Sequence, residues 1–333
     1  MRSFTYTETK DFIYPKQVCI ETYHGCNARC GFCPVTLWTR PKGQMSDEIF
    51  NTVIDQLKEW APGNVNKVAL MMNGEPLLDS KLEDRLAICK AEGLPNVGFT
   101  TNGSLMNLER ASSILGASPD YVVFSFDTLE KKSYEDNRRG LSYDTTLENI
   151  FGFIRKRNEL KSKTRVVLRY VDFQEGGAGF KDYQLYFQDF LDEELDELQY
   201  TIAHNAGFRQ SIKEELDNGN FGTTPCDAPF NRLIIQHDGQ VLMCAHDFNT
   251  EYDLGNVMEK HILEIFNGDE FNRVRQVHKA CRRNTLVKCS TCDEPELDKD
   301  ENTFVKYTPS GKSFFSKNNV GFDYHEERRK ILD

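Results

Sequence analysis

Cys26-Asn27-Ala28-Arg29-Cys30-Gly31-Phe32-Cys33-Pro34 follows directly on an apolar run, residues 18–23, that reads as a β-strand. Its three thiols lie on the loop leaving that strand. A four-iron cluster takes about four cysteine ligands, so three thiolates would leave one iron open. In parallel α/β barrels the loops after the strand C-termini build the active site. An open iron there would face whatever ligand the site takes. A three-cysteine zinc loop, or a four-cysteine site completed elsewhere in the chain, is the competing reading.

Outward from this loop, five further apolar runs read as strands: residues 67–72, 96–101, 121–126, 165–171 and 198–203. Helical patterns lie between them. Ser46 is a good N-cap, with Asp47 and Glu48 in the first turn and Ile49, Phe50, Val53, Ile54 and Leu57 on one face. Ser80-Lys81-Leu82-Glu83 has capping-box spacing, with Leu82, Leu86 and Cys89 on the face that follows. Leu147, Ile150, Phe151 and Ile154 repeat at helical spacing. Strand then helix, six times, argues parallel βαβ units and a curved α/β sheet over residues 1–206. Residues 207–225 are polar and read as a connector. Residues 226–295 form a second unit and 296–333 a charged tail. The acidic run 192–197 reads as a solvated face.

The chain has ten cysteines and none between residues 90 and 225. Residues 1–12 are polar and lack the apolar core of a secretory signal. In a reducing compartment, clustered thiols are more often metal or redox groups than disulfides. Their distribution predicts two sites, the second being Cys226-x17-Cys244 with Cys289-x2-Cys292. Asp238-Gly239 between two apolar runs signals a hairpin, which would bring Cys226 and Cys244 together. Helical patterning from His261 to Phe271 would return the chain to Cys289 and Cys292. Four thiolates suit zinc or a four-iron cluster equally by count, and spacing alone leans to zinc. Cys19 and Cys89 read as core residues. His24, His204, His237 and His246 show no ligand spacing.

The N-terminal triplet, with aromatic Phe32 before its last cysteine, resembles the radical S-adenosylmethionine (SAM) superfamily, whose signature is this spacing at the end of the first barrel strand. Asn73-Gly74-Glu75-Pro76 is similar to the Gly-Gly-Glu-Pro run that binds the methionine amino group, with Asn73 in place of the usual Gly. Thr100-Thr101-Asn102-Gly103 and Ser125-Phe126-Asp127 also look like strand ends of that family. The resemblance implies that Cys26, Cys30 and Cys33 hold a [4Fe-4S] cluster. It also implies that Phe32, Asn73, Gly74, Glu75, Ser125 and Arg169 line the SAM site, Ser125 and Arg169 reaching its ribose and carboxylate. In such enzymes one electron cleaves SAM, and the 5'-deoxyadenosyl radical takes a hydrogen from an unactivated C–H bond.

Cys226, Cys244, Cys289 and Cys292, with Gly239 and the Leu254-Gly255-Asn256-Val257 run, resemble the twitch form of the SPASM auxiliary-cluster domain. Their spacing is close to that of the aminocyclitol dehydrogenases among radical SAM enzymes. The implied fold is a partial (β/α)6 TIM-like barrel followed by a small twitch domain of hairpin plus helix. The implied cofactors are SAM and two [4Fe-4S] clusters, one SAM-binding and one auxiliary. A flavodoxin or ferredoxin would serve as external one-electron donor. Cys281 lies among Lys279, Arg282 and Arg283, cations that lower a thiol pKa. Because related epimerases use a cysteine as hydrogen donor, Cys281 is a candidate for that role.

Composition limits the partners. The 333 residues carry 41 Lys+Arg against 52 Asp+Glu, a formal net charge of -11. That balance argues against nucleic acid. No apolar run is long enough to span a membrane, and a cytoplasmic location is expected. Three function classes follow. The first is a radical SAM enzyme on a small polar molecule, a sugar, aminocyclitol or glycoside, giving oxidation, epimerisation or dehydration. The second is a peptide-modifying maturase; only 25 residues precede Cys26, which favours the first. The third is a zinc-stabilised binding module without catalysis.

Overall fold

Alternating apolar residues build an open sheet whose C-terminal strand ends carry the cysteine loop. The computed structural model describes residues 12–173, 179–203, 222–297 and 304–314. In chain order its strands are β1 (Gln17–Ile20), β2 (Tyr23–His24), β3 (Gly43–Gln44), β4 (Lys67–Ala69), β5 (Val97–Thr101), β6 (Tyr121–Ser125), β7 (Arg165–Asp172), β8 (Glu197–Ile202), β9 (Arg232–Ile235), β10 (Val241–Leu242), β11 (Phe304–Tyr307) and β12 (Ser313–Phe314). The helices are α1 (Asp47–Trp60), α2 (Leu82–Ala91), α3 (Leu108–Gly116), α4 (Lys131–Asn137), α5 (Tyr143–Glu159), α6 (Phe180–Phe187), α7 (Ala228–Asn231), α8 (Ile262–Phe266), α9 (Asp269–Lys279) and α10 (Glu294–Leu297).

Six strands, β1-β4-β5-β6-β7-β8, run parallel in that order, as a partial (β/α)6 barrel requires. All six expected strands are present, within a few residues of their expected bounds. The twitch hairpin does not stand apart from this sheet. Strand β9 pairs in parallel with β1, Val18 opposite Leu233, and β10 turns back antiparallel on β9. At the other edge β11, from the charged tail, pairs antiparallel with β8. Residues 207–221 of the expected connector lie outside the described residues, as do His204 and much of the tail.

The period of two sorts the strand residues. Val18, Ile20, Val68, Val97, Phe99, Val122, Phe124, Val166 and Leu168 join one buried cluster with helix residues such as Phe50, Ile54, Leu57, Leu86, Ile114 and Phe153. Burying each such side chain contributes about 1.5–3 kcal/mol. The alternate residues line the barrel interior: Cys19 and Ala69 with Ile234 and Leu242, and Tyr121 with Val123 and Val167. Cys19 and Cys89 are both buried, as expected of core thiols.

Four local expectations need comment. Ser46 caps α1 as predicted, its hydroxyl accepting from Ile49 N at 3.2 Å. Ser80 does not cap α2; Lys81 occupies that position and the Ser80 hydroxyl donates to Gln44 instead. The single helix expected from His261 to Phe271 is two, α8 and α9, because Gly268 adopts an extended conformation between them. The acidic run is not wholly solvated: Asp196 and Glu197 are buried, Asp196 under a two-pronged contact from Arg157.

Candidate active site and auxiliary cysteine centre

Strand β1 ends at Ile20 and the chain then turns through β2 into the cysteine loop. Backbone contacts hold that loop in place: Arg29 N donates to Arg139 O and Gly31 N to Asn137 O. Beneath it lies a buried ion pair, Arg138 donating through Nε and Nη2 to Asp127, the latter at 2.7 Å. The guanidinium stacks 5.2 Å from the Phe32 ring. Phe32 therefore sits between Arg138 and Phe173. Asn102 at the end of β5 reaches back to the loop, donating to Asn27 at 2.9 Å.

Burial pushes the Cys26 thiol up to about 11 and Cys33 to about 12, with proximity of the other loop thiols adding to both. The three sulfurs thus share one locality. Loading a metal or cluster there would release the thiol protons.

Strand β4 leads to the Asn73-Gly74-Glu75-Pro76 turn. Gly74 bridges to Gly25, and a Cβ on Gly74 would lie 2.1 Å from the Tyr23 carbonyl oxygen. Only glycine permits that approach. Gly74→Ala is expected to slow SAM cleavage about a hundredfold, the cost of displacing a positioned group by about 1 Å. Measured 5'-deoxyadenosine yield checks this, and a parent-like yield would show that the turn tolerates the shift. Glu75 is fully buried. Its carboxylate accepts from Thr101 Oγ1 (2.6 Å), Asn102 N (2.8 Å) and Leu77 N (3.1 Å), tying the ends of β4 and β5 together. Burial pushes its carboxyl upward against those hydrogen bonds. Ser125 and Arg169 stand opposite each other on β6 and β7, and Arg169 donates to Gln199 Oε1.

The four C-terminal cysteines line one cavity with Met243, His278 and Arg283. The hairpin does what Asp238-Gly239 implied: Gly239 takes φ +87° and Cys226 and Cys244 reach the same chamber. Their thiols and those of Cys289 and Cys292 are pushed up, chiefly by burial. Sequence reasoning missed the part that four residues play here. Arg283, buried in helix-turn backbone, donates to the carbonyls of Thr224, Cys289 and Cys292. Cys226 N donates to His278 Nδ1 at 3.0 Å, which leaves the neutral ring's proton on Nε2, 3.6 Å from Cys289 Sγ. Burial, then Arg283, pulls His278 down to about 4, so it stays neutral. His246 pairs with Glu294 beside Cys292. Cys281 is exposed, at φ +53°.

A second missed group links the two centres. Glu21, wholly buried at the end of β1, receives both Arg40 Nη1 and Nη2, and its Oε2 accepts from Asn73 N at 3.2 Å. His24 and His237 also face it. Arg40 Nε donates onward to Phe248 O at 2.8 Å. The loop that leaves Cys33 is thereby tied to the loop that leaves Cys244.

Residues 20–170 match the radical SAM superfamily and residues 226–293 the SPASM iron-sulfur cluster-binding domain. The chain thus carries a domain of the radical SAM superfamily followed by a SPASM domain. It is an enzyme of that family, which brings SAM and a [4Fe-4S] cluster, and its SPASM domain brings an auxiliary cluster. The chain is 23% identical to an S-adenosyl-L-methionine-dependent 2-deoxy-scyllo-inosamine dehydrogenase of Niallia circulans, over 85% of this chain and 94% of that one. The fold is similar to that of BtrN in complex with AdoMet and 2-DOIA, with TM-score 0.57 and 20% identity over 84% of this chain and 93% of that one. It is also similar to Streptococcus suis SuiB bound to S-adenosylmethionine, with TM-score 0.62 and 17% identity over 90% and 76%. No described helix is long and apolar enough to cross a membrane.

Proposed function

We propose that this enzyme removes a hydrogen atom from a small polar substrate, a sugar, aminocyclitol or glycoside, with net oxidation, epimerisation or dehydration. The observation that carries this reading is the pairing of a three-cysteine loop at the barrel mouth with a four-cysteine chamber on the same sheet. The similarity to a dehydrogenase over nearly its whole length supports the substrate class.

SAM bound to a reduced [4Fe-4S] cluster supplies a 5'-deoxyadenosyl radical, which takes hydrogen from an unactivated C–H bond. The chain's own residues supply ligands, orientation and exclusion of water. Cys26, Cys30 and Cys33 would hold the first cluster through three ligands. Asn73 and Gly74 would offer backbone to the SAM amino group, and Glu75 fixes that turn through Thr101, Asn102 and Leu77. Ser125 and Arg169 would reach the ribose and carboxylate. Phe32, clamped by Arg138, shields the loop. Cys226, Cys244, Cys289 and Cys292 would hold the auxiliary cluster, and the His278 Nε2–H beside Cys289 Sγ is placed to hydrogen-bond a ligand sulfur, a contact that would raise the cluster's potential. For an oxidation, a cluster held by these four cysteines would be able to take the electron that the substrate radical gives up, while the separate electron that cleaves SAM would come from a flavodoxin or ferredoxin outside the chain.

Anaerobically reconstituted protein is expected to carry about eight irons per chain, and Cys244→Ala about four. Iron and labile-sulfide assays check this. Zinc in the C-terminal chamber, or no change on substitution, would overturn the auxiliary assignment.

A further inference from the structure

Between Phe271 and Cys292 the chain carries six cations, Arg273, Arg275, Lys279, Arg282, Arg283 and Lys288, and no Asp or Glu, in a protein whose formal net charge is -11. The run folds as one compact lobe. Past α9, Cys281 takes φ +53° and Arg282 N turns back to donate to Val277 O at 3.0 Å. The chain then winds on itself, Leu286 N donating to Arg283 O at 3.0 Å and Ser290 N to Leu286 O at 2.8 Å. The Arg283 guanidinium points inward and holds the carbonyls of Cys289 and Cys292. The lobe is therefore one wall of the four-cysteine chamber, which follows β10, an outermost strand of the ten-stranded sheet.

Its charges divide between an inner and an outer face. Arg275 is buried, donates to Pro229 O at 2.9 Å and lies over the Phe266 ring, with no carboxylate partner among the described residues. Outside, Arg273 pairs with Glu270 at 3.0 Å and Lys288 with Glu251 at 2.7 Å. Lys279 and Arg282 are exposed and have no carboxylate partner among the described residues. The helix dipole favours a cation in the last turn of α9, where Lys279 stands. Arg282 lies beyond that turn, and Val287, 70% exposed, stands two residues before Cys289. Two buried guanidiniums in the wall and two unpaired cations on its outside project a positive field from an acidic chain, and such a field steers an anionic partner.

We propose that this lobe docks an acidic one-electron carrier protein against the four-cysteine chamber. This rests on the auxiliary-cluster reading and goes beyond it by seating a carrier at the C-terminal centre, away from the barrel mouth. A carrier seated there takes up the electron that an oxidation leaves in the chamber. The auxiliary centre is oxidised by one electron, the oxidised carrier is reduced by one, and no bond breaks.

The test uses the anaerobically reconstituted holoenzyme, with oxidised flavodoxin as the acidic carrier and titration calorimetry as the readout. Binding is expected to weaken as salt rises, because exposed charges are screened beyond about 8 Å at about 0.15 M. Reversing both Lys279→Glu and Arg282→Glu turns two attractions into repulsions and should raise the Kd about tenfold. Val287→Ser should raise it several-fold with the salt dependence unchanged. Lys132→Glu, on α4 beside the N-terminal cysteine loop, should bind as the parent does. Iron at about eight per chain confirms that each variant is loaded. An unchanged Kd in the double reversal overturns the proposal. So does weakening in Lys132→Glu alone, which would seat the carrier over the barrel mouth. So does a polyglutamate or a single-stranded DNA oligonucleotide that binds as tightly as flavodoxin, since the lobe would then be a general polyanion surface. A parent that loads only about four irons removes the auxiliary-cluster reading and the proposal with it. Full loading without carrier binding confines the failure to the docking site.

Discussion

Cys30→Ala is expected to bring reductive cleavage of SAM down to background while leaving the chain folded. The middle cysteine has no substitute. Its loop is fixed by Arg29 N to Arg139 O and Gly31 N to Asn137 O, so neither neighbour can be re-aimed to cover the lost ligand. Cys30 is only half-buried and lies outside the strands, so its truncation removes little packing. Two remaining thiolates do not hold a four-iron cluster that needs at least three. Anaerobic incubation with SAM and dithionite, with 5'-deoxyadenosine quantified, reads the first consequence. Iron reads the second: content should fall to about half, the C-terminal chamber keeping its share. Parent-like 5'-deoxyadenosine from the variant would refute the cluster assignment. Loss of all iron together with a collapsed thermal transition would instead mark Cys30 as structural.

The parts of the molecule legible in the sequence were those set by short-range pattern. Six apolar runs gave six parallel strands because each run alternates between two buried faces, the helices outside and the barrel interior within. The cysteine loop was legible as one locality because its three thiols sit on one turn and lie close enough to raise one another. The hairpin was legible because Asp238-Gly239 suits the φ of +87° found at Gly239. What escaped was non-local. Glu21 and His237 are 216 residues apart, Arg40 and Phe248 208 apart, and no spacing rule joins them. His278 reads as one more polar residue of an amphipathic helix until Cys226 is folded onto it. The acidic run misled for the same reason: Asp196 looks solvated until Arg157 covers it. The Ser80 box failed on a local competitor, since the Ser80 hydroxyl finds Gln44 across the loop.

Glu21→Gln is expected to cost about 3–5 kcal/mol of unfolding free energy, because it leaves Arg40 buried without its counter-charge. Burial alone would push the Glu21 carboxyl up. The hydrogen bonds from His237, His24 and Arg40, with the Arg40 charge, outweigh it and hold the carboxyl at about 2. A carboxyl lowered from about 4.5 to about 2 stabilises the folded state by about 3 kcal/mol. The sign follows: the contribution is full above about pH 4.5 and disappears as pH falls towards 2. Arg40→Met should cost a similar amount, leaving Glu21 as the orphan, and the double variant less than the two singles combined. Urea unfolding of the metal-free chains at pH 7 gives the cycle, and repeating it at pH 4 should narrow the gap between parent and Glu21→Gln. Additive losses would show that the pair is not a unit. The consequence for function lies in Arg40 Nε, which holds Phe248 O and with it the loop after Cys244. Hydrogen exchange at residues 246–250 should quicken in Arg40→Met, while exchange in β6 and β7 stays as in the parent. Uniform quickening would reduce Arg40 to a stability residue; confined quickening makes it the strut that sets one cysteine centre against the other.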